Sequence, residues 1–206
     1  MKIGIIDYGV GNILSIQNML KKSGNKSEIL SEPEMIDKFD KLILPGVGSF
    51  DFAMNKLINH SWVEPLSNFV LEKKKPILGI CLGMQLLCNN SEEGQLKGLS
   101  WINANVKKFK TDDNFKLKVP HMGWNSVEVR NLNCKIYEEL SGLNKFYFVH
   151  SYYVDCLENK DIIGVTKYNG SEFVSSFNKE NIYGVQFHPE KSHRYGLKLL
   201  ENFAEV

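Results

Sequence analysis

Pro76-Ile77-Leu78-Gly79-Ile80-Cys81-Leu82-Gly83-Met84-Gln85 decides how this chain reads. Its first half is a continuous apolar run, as in the centre of a parallel sheet covered on both faces. From Leu82 the pattern becomes helical, over residues 82–88. Between the two halves sits a cysteine with glycine two positions away on either side. That spacing is a nucleophile elbow, a sharp strand-to-helix turn that exposes a reactive side chain, with cysteine in place of serine. The glycines let neighbouring backbone pass closely. The helix N-terminus adds positive potential, which favours a thiolate. An inert buried thiol is the commonest fate of a free cysteine, so the elbow needs a second group before it means chemistry.

Outward from this turn, apolar runs alternate with helical patterns, the signature of βαβ units. The first run ends at Asp7, and Tyr8-Gly9-Val10-Gly11 leads into a helix expected over 12–22, with Gly24 as its stop. A strand is expected at 27–30, a helix from Pro33, and a strand at 41–45 followed by the loop Gly46-Val47-Gly48. Helical patterns over 50–59 and 62–74 precede the decisive strand. From about Val106 to Gln186 the chain is rich in Val, Tyr and Phe, with strand-like stretches at 125–129, 145–154, 162–168 and 182–186. A closing amphipathic helix is expected over 195–204. No repeat or linker divides residues 1–206, which read as one domain. The expected fold class is α/β: a single-domain, open, mostly parallel sheet with flanking helices and an antiparallel, strand-rich second half.

The composition narrows the ligand. With 25 basic against 24 acidic side chains and a net charge of +1, there is no electrostatic case for nucleic acid or an anionic membrane. A small molecule is expected instead. No apolar run reaches bilayer length, and Met1-Lys2-Ile3-Gly4-Ile5-Ile6-Asp7 turns acidic too soon for a signal peptide. Cys81, Cys88, Cys134 and Cys156 show no CxxC pairing or metal-ligand spacing, so reduced thiols in the cytoplasm are expected. No metal or cofactor is expected either. There is no Walker motif, and Leu14 stands where a dinucleotide fingerprint needs its third glycine.

The second group lies near the C-terminus, in Gly184-Val185-Gln186-Phe187-His188-Pro189-Glu190-Lys191-Ser192. Here a strand ends in a polar loop, the usual location of catalytic groups in an open α/β sheet. A cysteine nucleophile needs a base, and the base needs a partner that fixes its tautomer. His188 and Glu190 supply both, and two residues apart on an extended strand end their side chains point the same way. His60 reads as a solvated residue; His121, His150 and His193 read as structural or binding residues.

Gly79-Ile80-Cys81-Leu82-Gly83-Met84-Gln85 together with Phe187-His188-Pro189-Glu190 resembles the class I, triad-type glutamine amidotransferases. Within that class the similarity is to the glutaminase subunits of imidazole glycerol phosphate synthase. Asp7-Tyr8-Gly9-Val10-Gly11-Asn12, Leu44-Pro45-Gly46-Val47-Gly48-Ser49-Phe50, Ser91-Glu92-Glu93, Pro120-His121-Met122-Gly123-Trp124-Asn125, Tyr147-Phe148-Val149-His150-Ser151-Tyr152 and Leu199-Leu200-Glu201-Asn202-Phe203 carry it along nearly the whole chain. The resemblance implies a triad of Cys81, His188 and Glu190 that hydrolyses glutamine. It implies an oxyanion hole from Leu82, Val47 and Gly48. Gly46, Gln85, His150, Ser151 and Tyr152 would bind glutamine. Asn12, Met122, Trp124, Tyr147 and Lys191 would face the partner. That partner would be a (β/α)₈-barrel cyclase in a heterodimer, using the ammonia to make imidazole glycerol phosphate and AICAR in histidine biosynthesis. The glutaminase would be slow until the partner binds its substrate, with peptide reorientation in the Gly46–Gly48 loop as the switch.

One position departs from the pattern. His193 stands where histidine-pathway members more often carry Gln or a small residue. A paralogous glutaminase feeding an ATP-dependent sugar amidotransferase in surface-glycan biosynthesis is the alternative. Two further classes are a cysteine peptidase or amidase of the same elbow type, and a non-catalytic scaffold protein. The remote Phe187-His188-Pro189-Glu190 speaks against the first, whose histidine usually follows the nucleophile directly. The complete triad speaks against the second.

Overall fold

Strands with both faces covered must be apolar at every position, and the central strands of this sheet show why. Leu42 and Leu44 pack into one core with Phe50, Trp62 and Ile77, while the alternate residues Ile43, Leu78 and Ile80 pack into a second with Ile16, Phe187 and Leu199. The computed structural model describes residues 1–109, 118–140 and 144–206. Its elements are β1 (Ile3–Ile6), α1 (Ile13–Lys22), β2 (Ser27–Leu30), β3 (Lys41–Gly46), α2 (Phe50–Asn59) and α3 (Val63–Ser67). Then come β4 (Ile77–Cys81), α4 (Leu82–Leu86), β5 (Asn90–Ser91), β6 (Ala104–Lys108), β7 (His121–Val129), β8 (Asn144–His150) and β9 (Tyr152–Cys156). The chain closes with β10 (Ile162–Tyr168), β11 (Ser171–Lys179), β12 (Ile182–Val185) and α5 (His193–Glu205).

The sheet runs β2-β1-β3-β4-β12-β11-β10-β7-β8. Its first five strands are parallel, and from β11 onward neighbours are antiparallel. This is the expected α/β architecture with an antiparallel second half. The pairing of β12 with β4, Val185 opposite Ile80, joins segments a hundred residues apart and brings the C-terminal polar loop to the elbow. β5, β6 and β9 attach to β11 through Val154 and Val174. Buried Lys41 donates from Nζ to the carbonyls of Phe203 (3.3 Å) and Ala204 (2.6 Å), satisfying the C-terminal end of α5. Among the described residues no helix is long and apolar enough to cross a membrane.

Several boundaries differ from the sequence reading. The helix expected over 82–88 ends at Leu86, because the N–H groups of Leu87 and Cys88 bond three residues back rather than four. The 62–74 helix divides into α3 and a single π-turn over Asn68–Glu72, and the helix from Pro33 is a 3₁₀ stretch over Pro33–Lys38. The 145–154 strand is two strands, because the chain changes partners at Ser151: β8 pairs with β7, and β9 with β6. The 125–129 strand reaches back to His121, β12 stops at Val185, and α5 begins at His193. Residues 110–117 and 141–143 of the strand-rich expectation lie outside the described residues.

Candidate active site

Cys81 ends β4 and stands immediately before α4 with φ 55° and ψ −112°. A non-glycine residue in that region is strained, and the surrounding packing must hold it there. It does so through close backbone approach: a Cβ on Gly83 would collide with the Leu44 carbonyl oxygen, and one on Gly46 with the Gly83 nitrogen. Gly46 pairs with Cys81 in the β3–β4 register. Gly46 is buried at this close approach, and its backbone supports the turn.

β12 delivers the base. The His188 N–H donates to the Tyr147 carbonyl at 2.9 Å, and the Ser192 hydroxyl donates to the His188 carbonyl at 2.6 Å. These bonds pin its backbone to β8, and the ring is then held by its own partners. Nδ1 donates to Glu190 Oε1 at 2.8 Å, and the Asn12 amide donates to the same oxygen at 3.1 Å. Both His188 and Glu190 side chains are almost fully buried, at 2% and 1% exposure. Burial works against an imidazolium here, yet the adjacent Cys81 sulfur and the Glu190 carboxylate outweigh it and raise His188 to about 10. Burial likewise raises Glu190, and its hydrogen bond to His188 overcomes this to leave it below the usual carboxylate range. Nε2 of His188 is buried without a hydrogen-bond partner among the described residues and is the ring edge left for Cys81 and a substrate.

A cavity of about 340 Å³ opens beside these groups, lined by Val47, Gly48, Cys81, Leu82, Gln85, His150, Ser151, Tyr152, His188 and Lys191, each given a role from the sequence, and by Glu93, Pro120 and Val149, which lie in the segments that carry the resemblance but were given no place at the glutamine. Glu190 and Asn12 sit behind His188 and away from this lining. Gln85 Nε2 donates to the Tyr152 carbonyl (3.1 Å) and to Gln186 Oε1 (2.9 Å), and Gln186 Nε2 donates to Cys81 Sγ at 3.7 Å. The sequence reading missed Gln186, although two-residue periodicity places it on the same strand face as His188. It also missed the bond from Asn12 to Glu190, a contact between residues 178 positions apart. Burial pushes the thiols of Cys88, Cys134 and Cys156 upward, and none of them lines the cavity.

Beside the cavity mouth, Met122 and Trp124 are 61% and 46% exposed. Trp124 meets Tyr147 edge-on at 6.2 Å and stacks flat on His193 at 5.3 Å, with Lys191 over the Tyr147 ring at 5.8 Å. His193 is thus part of this aromatic patch.

The chain is similar to known proteins over nearly its full length. The chain is 54% identical over 201 residues to "Imidazole glycerol phosphate synthase subunit HisH 2" of Methanococcus maripaludis, covering 98% of each. It is 46% identical to the HisH subunit of Leptospira borgpetersenii, over 99% of this chain and 100% of that one. To HisH 2 of Pseudomonas aeruginosa it is 45% identical, over 99% of each. Among solved structures, PurLQS from Thermotoga maritima shares the fold, with a TM-score of 0.73 at 18% identity over 99% of this chain and 97% of that one. The glutaminase domain of CTPS from Trypanosoma brucei matches with a TM-score of 0.66 at 18% identity, over 100% and 94%. The family described as "Glutamine amidotransferase class-I" matches residues 4–206, so the chain belongs to the class-I glutamine amidotransferases.

Proposed function

We propose that this chain hydrolyses glutamine to glutamate and ammonia and passes the ammonia to the synthase subunit it serves, with residues 1–206 acting as one glutamine amidotransferase domain. The observation that carries the proposal is a cysteine held at a strained elbow, beside the free edge, among the described residues, of an imidazole whose Nδ1 is locked to a buried carboxylate. Cys81 attacks the side-chain amide carbon, and the carbonyl electron pair moves to oxygen. The resulting oxyanion is stabilised by the Leu82 N–H and by a donor from Val47-Gly48. The imidazolium of His188 protonates the departing nitrogen, and ammonia leaves behind a glutamyl thioester. His188 then takes a proton from water, which attacks the thioester and returns Cys81. Glu190, with Asn12 on its far side, fixes the tautomer. Gly46, Gln85, His150, Ser151 and Tyr152 surround the glutamine.

Near full-length similarity to proteins named as imidazole glycerol phosphate synthase subunits supports histidine biosynthesis as the destination of the ammonia. The partner is a (β/α)₈-barrel cyclase, bound in a cytoplasmic heterodimer through Asn12, Met122, Trp124, Tyr147 and Lys191. The test is glutamate release from glutamine by the chain alone, then with the cyclase and its phosphoribosyl nucleotide, against Cys81→Ala. A rise that needs cyclase, nucleotide and Cys81 supports the whole reading. Activation instead by an ATP-dependent sugar amidotransferase would redirect the ammonia while leaving the glutaminase in place.

A further inference from the structure

Two buried histidines stand apart from the triad. His121 on β7 and His150 at the end of β8 are 3% and 6% exposed, and their rings bond to each other, His121 Nδ1 to His150 Nε2, at 3.0 Å. The direction of each bond follows from its neighbours. The Tyr152 carbonyl can only accept, so His150 Nδ1 donates to it at 2.7 Å. A neutral His150 then accepts at Nε2, and His121 Nδ1 must donate. His121 Nε2 in turn accepts from the Asn125 amide at 3.2 Å, whose orientation is set by its oxygen accepting the Ser126 N–H (2.8 Å) and its nitrogen donating to the Lys167 carbonyl (2.9 Å).

The chain continues to the nucleophile. The Tyr152 carbonyl also accepts from Gln85 Nε2 at 3.1 Å, which fixes which end of the Gln85 amide faces which neighbour. The second Gln85 hydrogen goes to Gln186 Oε1 at 2.9 Å. The fully buried Gln186 is therefore left with its Nε2, 3.7 Å from Cys81 Sγ, as the end that meets sulfur. Were that amide turned over, its oxygen would oppose a thiolate. We propose that Gln186 is a second donor to the nucleophilic sulfur, its amide oriented through Gln85 by the Tyr152 carbonyl, and that His121 and His150 are positioning residues that hold this shared carbonyl in place from its other side. Low basicity of both rings agrees with this. Burial lowers His121 to about 4, and burial with the charges of His121 and His188 lowers His150 to about 3 against the opposing bond to Tyr152.

The proposal rests on Cys81 being the glutaminase nucleophile. The ionisable groups facing Cys81 are His188 with Glu190 behind it, Tyr8 beyond the end of β1, and His150, Glu93 and Lys191 at the cavity. Gln186 is uncharged, so its replacement changes none of these charges. The experiment measures the pH dependence of iodoacetamide alkylation at Cys81 in the full chain, resolved from the other cysteines by peptide mass spectrometry. Gln186→Met should raise the apparent midpoint by about one pH unit, the effect of losing one hydrogen bond to a charged group. His121→Phe, which fits the aromatic surroundings of Phe148, Tyr168 and Phe173, should raise it by less and in the same direction. A midpoint unchanged in folded Gln186→Met overturns the proposal. If that variant does not fold, His121→Phe decides, and a profile coincident with the parent overturns it equally. Shifted midpoints in a chain whose glutamine turnover does not depend on Cys81 would remove the glutaminase reading and leave the chain of bonds intact.

Discussion

His188 and His150 are both buried at the same cavity, yet one is held charged-ready at about 10 and the other neutral at about 3. Burial acts on them alike, opposing the imidazolium. The difference lies in their neighbours. His188 has a carboxylate on Nδ1 and a sulfur beside Nε2, both of which favour its proton. His150 has a carbonyl on Nδ1, and its Nε2 meets another imidazole, so a second proton has no acceptor and would face the charge of His188. Desolvation sets a common cost, and the identity of the partner decides its sign.

The contrast can be broken at several points. The largest effect is expected for His188→Asn, which should lower glutamine turnover by about 10⁴-fold or more, as removal of a triad base does; steady-state glutamate release in the presence of the partner measures it. His121→Phe in the same assay should cost only about tenfold, and equal losses would erase the distinction between base and strut. Glu190→Gln should lower kcat by about 10³–10⁴-fold with the fold preserved, because the wrong tautomer of His188 is then favoured. Asn12→Ala should cost about tenfold in kcat. Its amide is one of two donors to Glu190 Oε1, and its loss should leave KM for glutamine nearly unchanged.

The smallest effect is on stability against pH. His121 and His150 have folded values below the ordinary 6.5. Their stabilisation is therefore complete above about 6.5 and declines as pH falls towards 4 and 3, where the unfolded chain binds protons that the folded one refuses. His188 is raised from 6.5 to about 10, so its contribution is complete below 6.5 and is lost as pH rises through 10. Thermal denaturation of the full chain should show the acid limb flattened in His121→Phe and the alkaline limb flattened in His188→Asn. A single limb affected by both variants would mean that the two sites titrate as one.

Locality explains which parts of the site and fold could be read and which could not. Gly79-Ile80-Cys81-Leu82-Gly83 and His188-Pro189-Glu190 were legible because each motif is local: a turn geometry demands glycine at fixed offsets, and an extended strand end aligns alternate side chains. The apolar run at 77–81 announced a central strand for the same reason, since cores on both faces leave no position for a polar residue. The 62–74 segment was not legible in detail, because its apolar spacing suits several helical turns and its packing selects the local type.

By itself the sequence determined the α/β alternation, the elbow at Cys81, and the pairing of His188 with Glu190, all consequences of short-range periodicity and backbone geometry. Only the tertiary structure decided that β12 lies against β4, which sets His188 beside Cys81. The same packing sends Asn12 to Glu190, presses Gly46 against Gly83, and brings His150 and Gln85 to the Tyr152 carbonyl with Gln186 between Gln85 and the Cys81 sulfur. These contacts link residues up to 178 positions apart. No local pattern encodes such contacts, because a hydrogen-bonding side chain is chemically the same whether its partner is a neighbour, a distant strand or water.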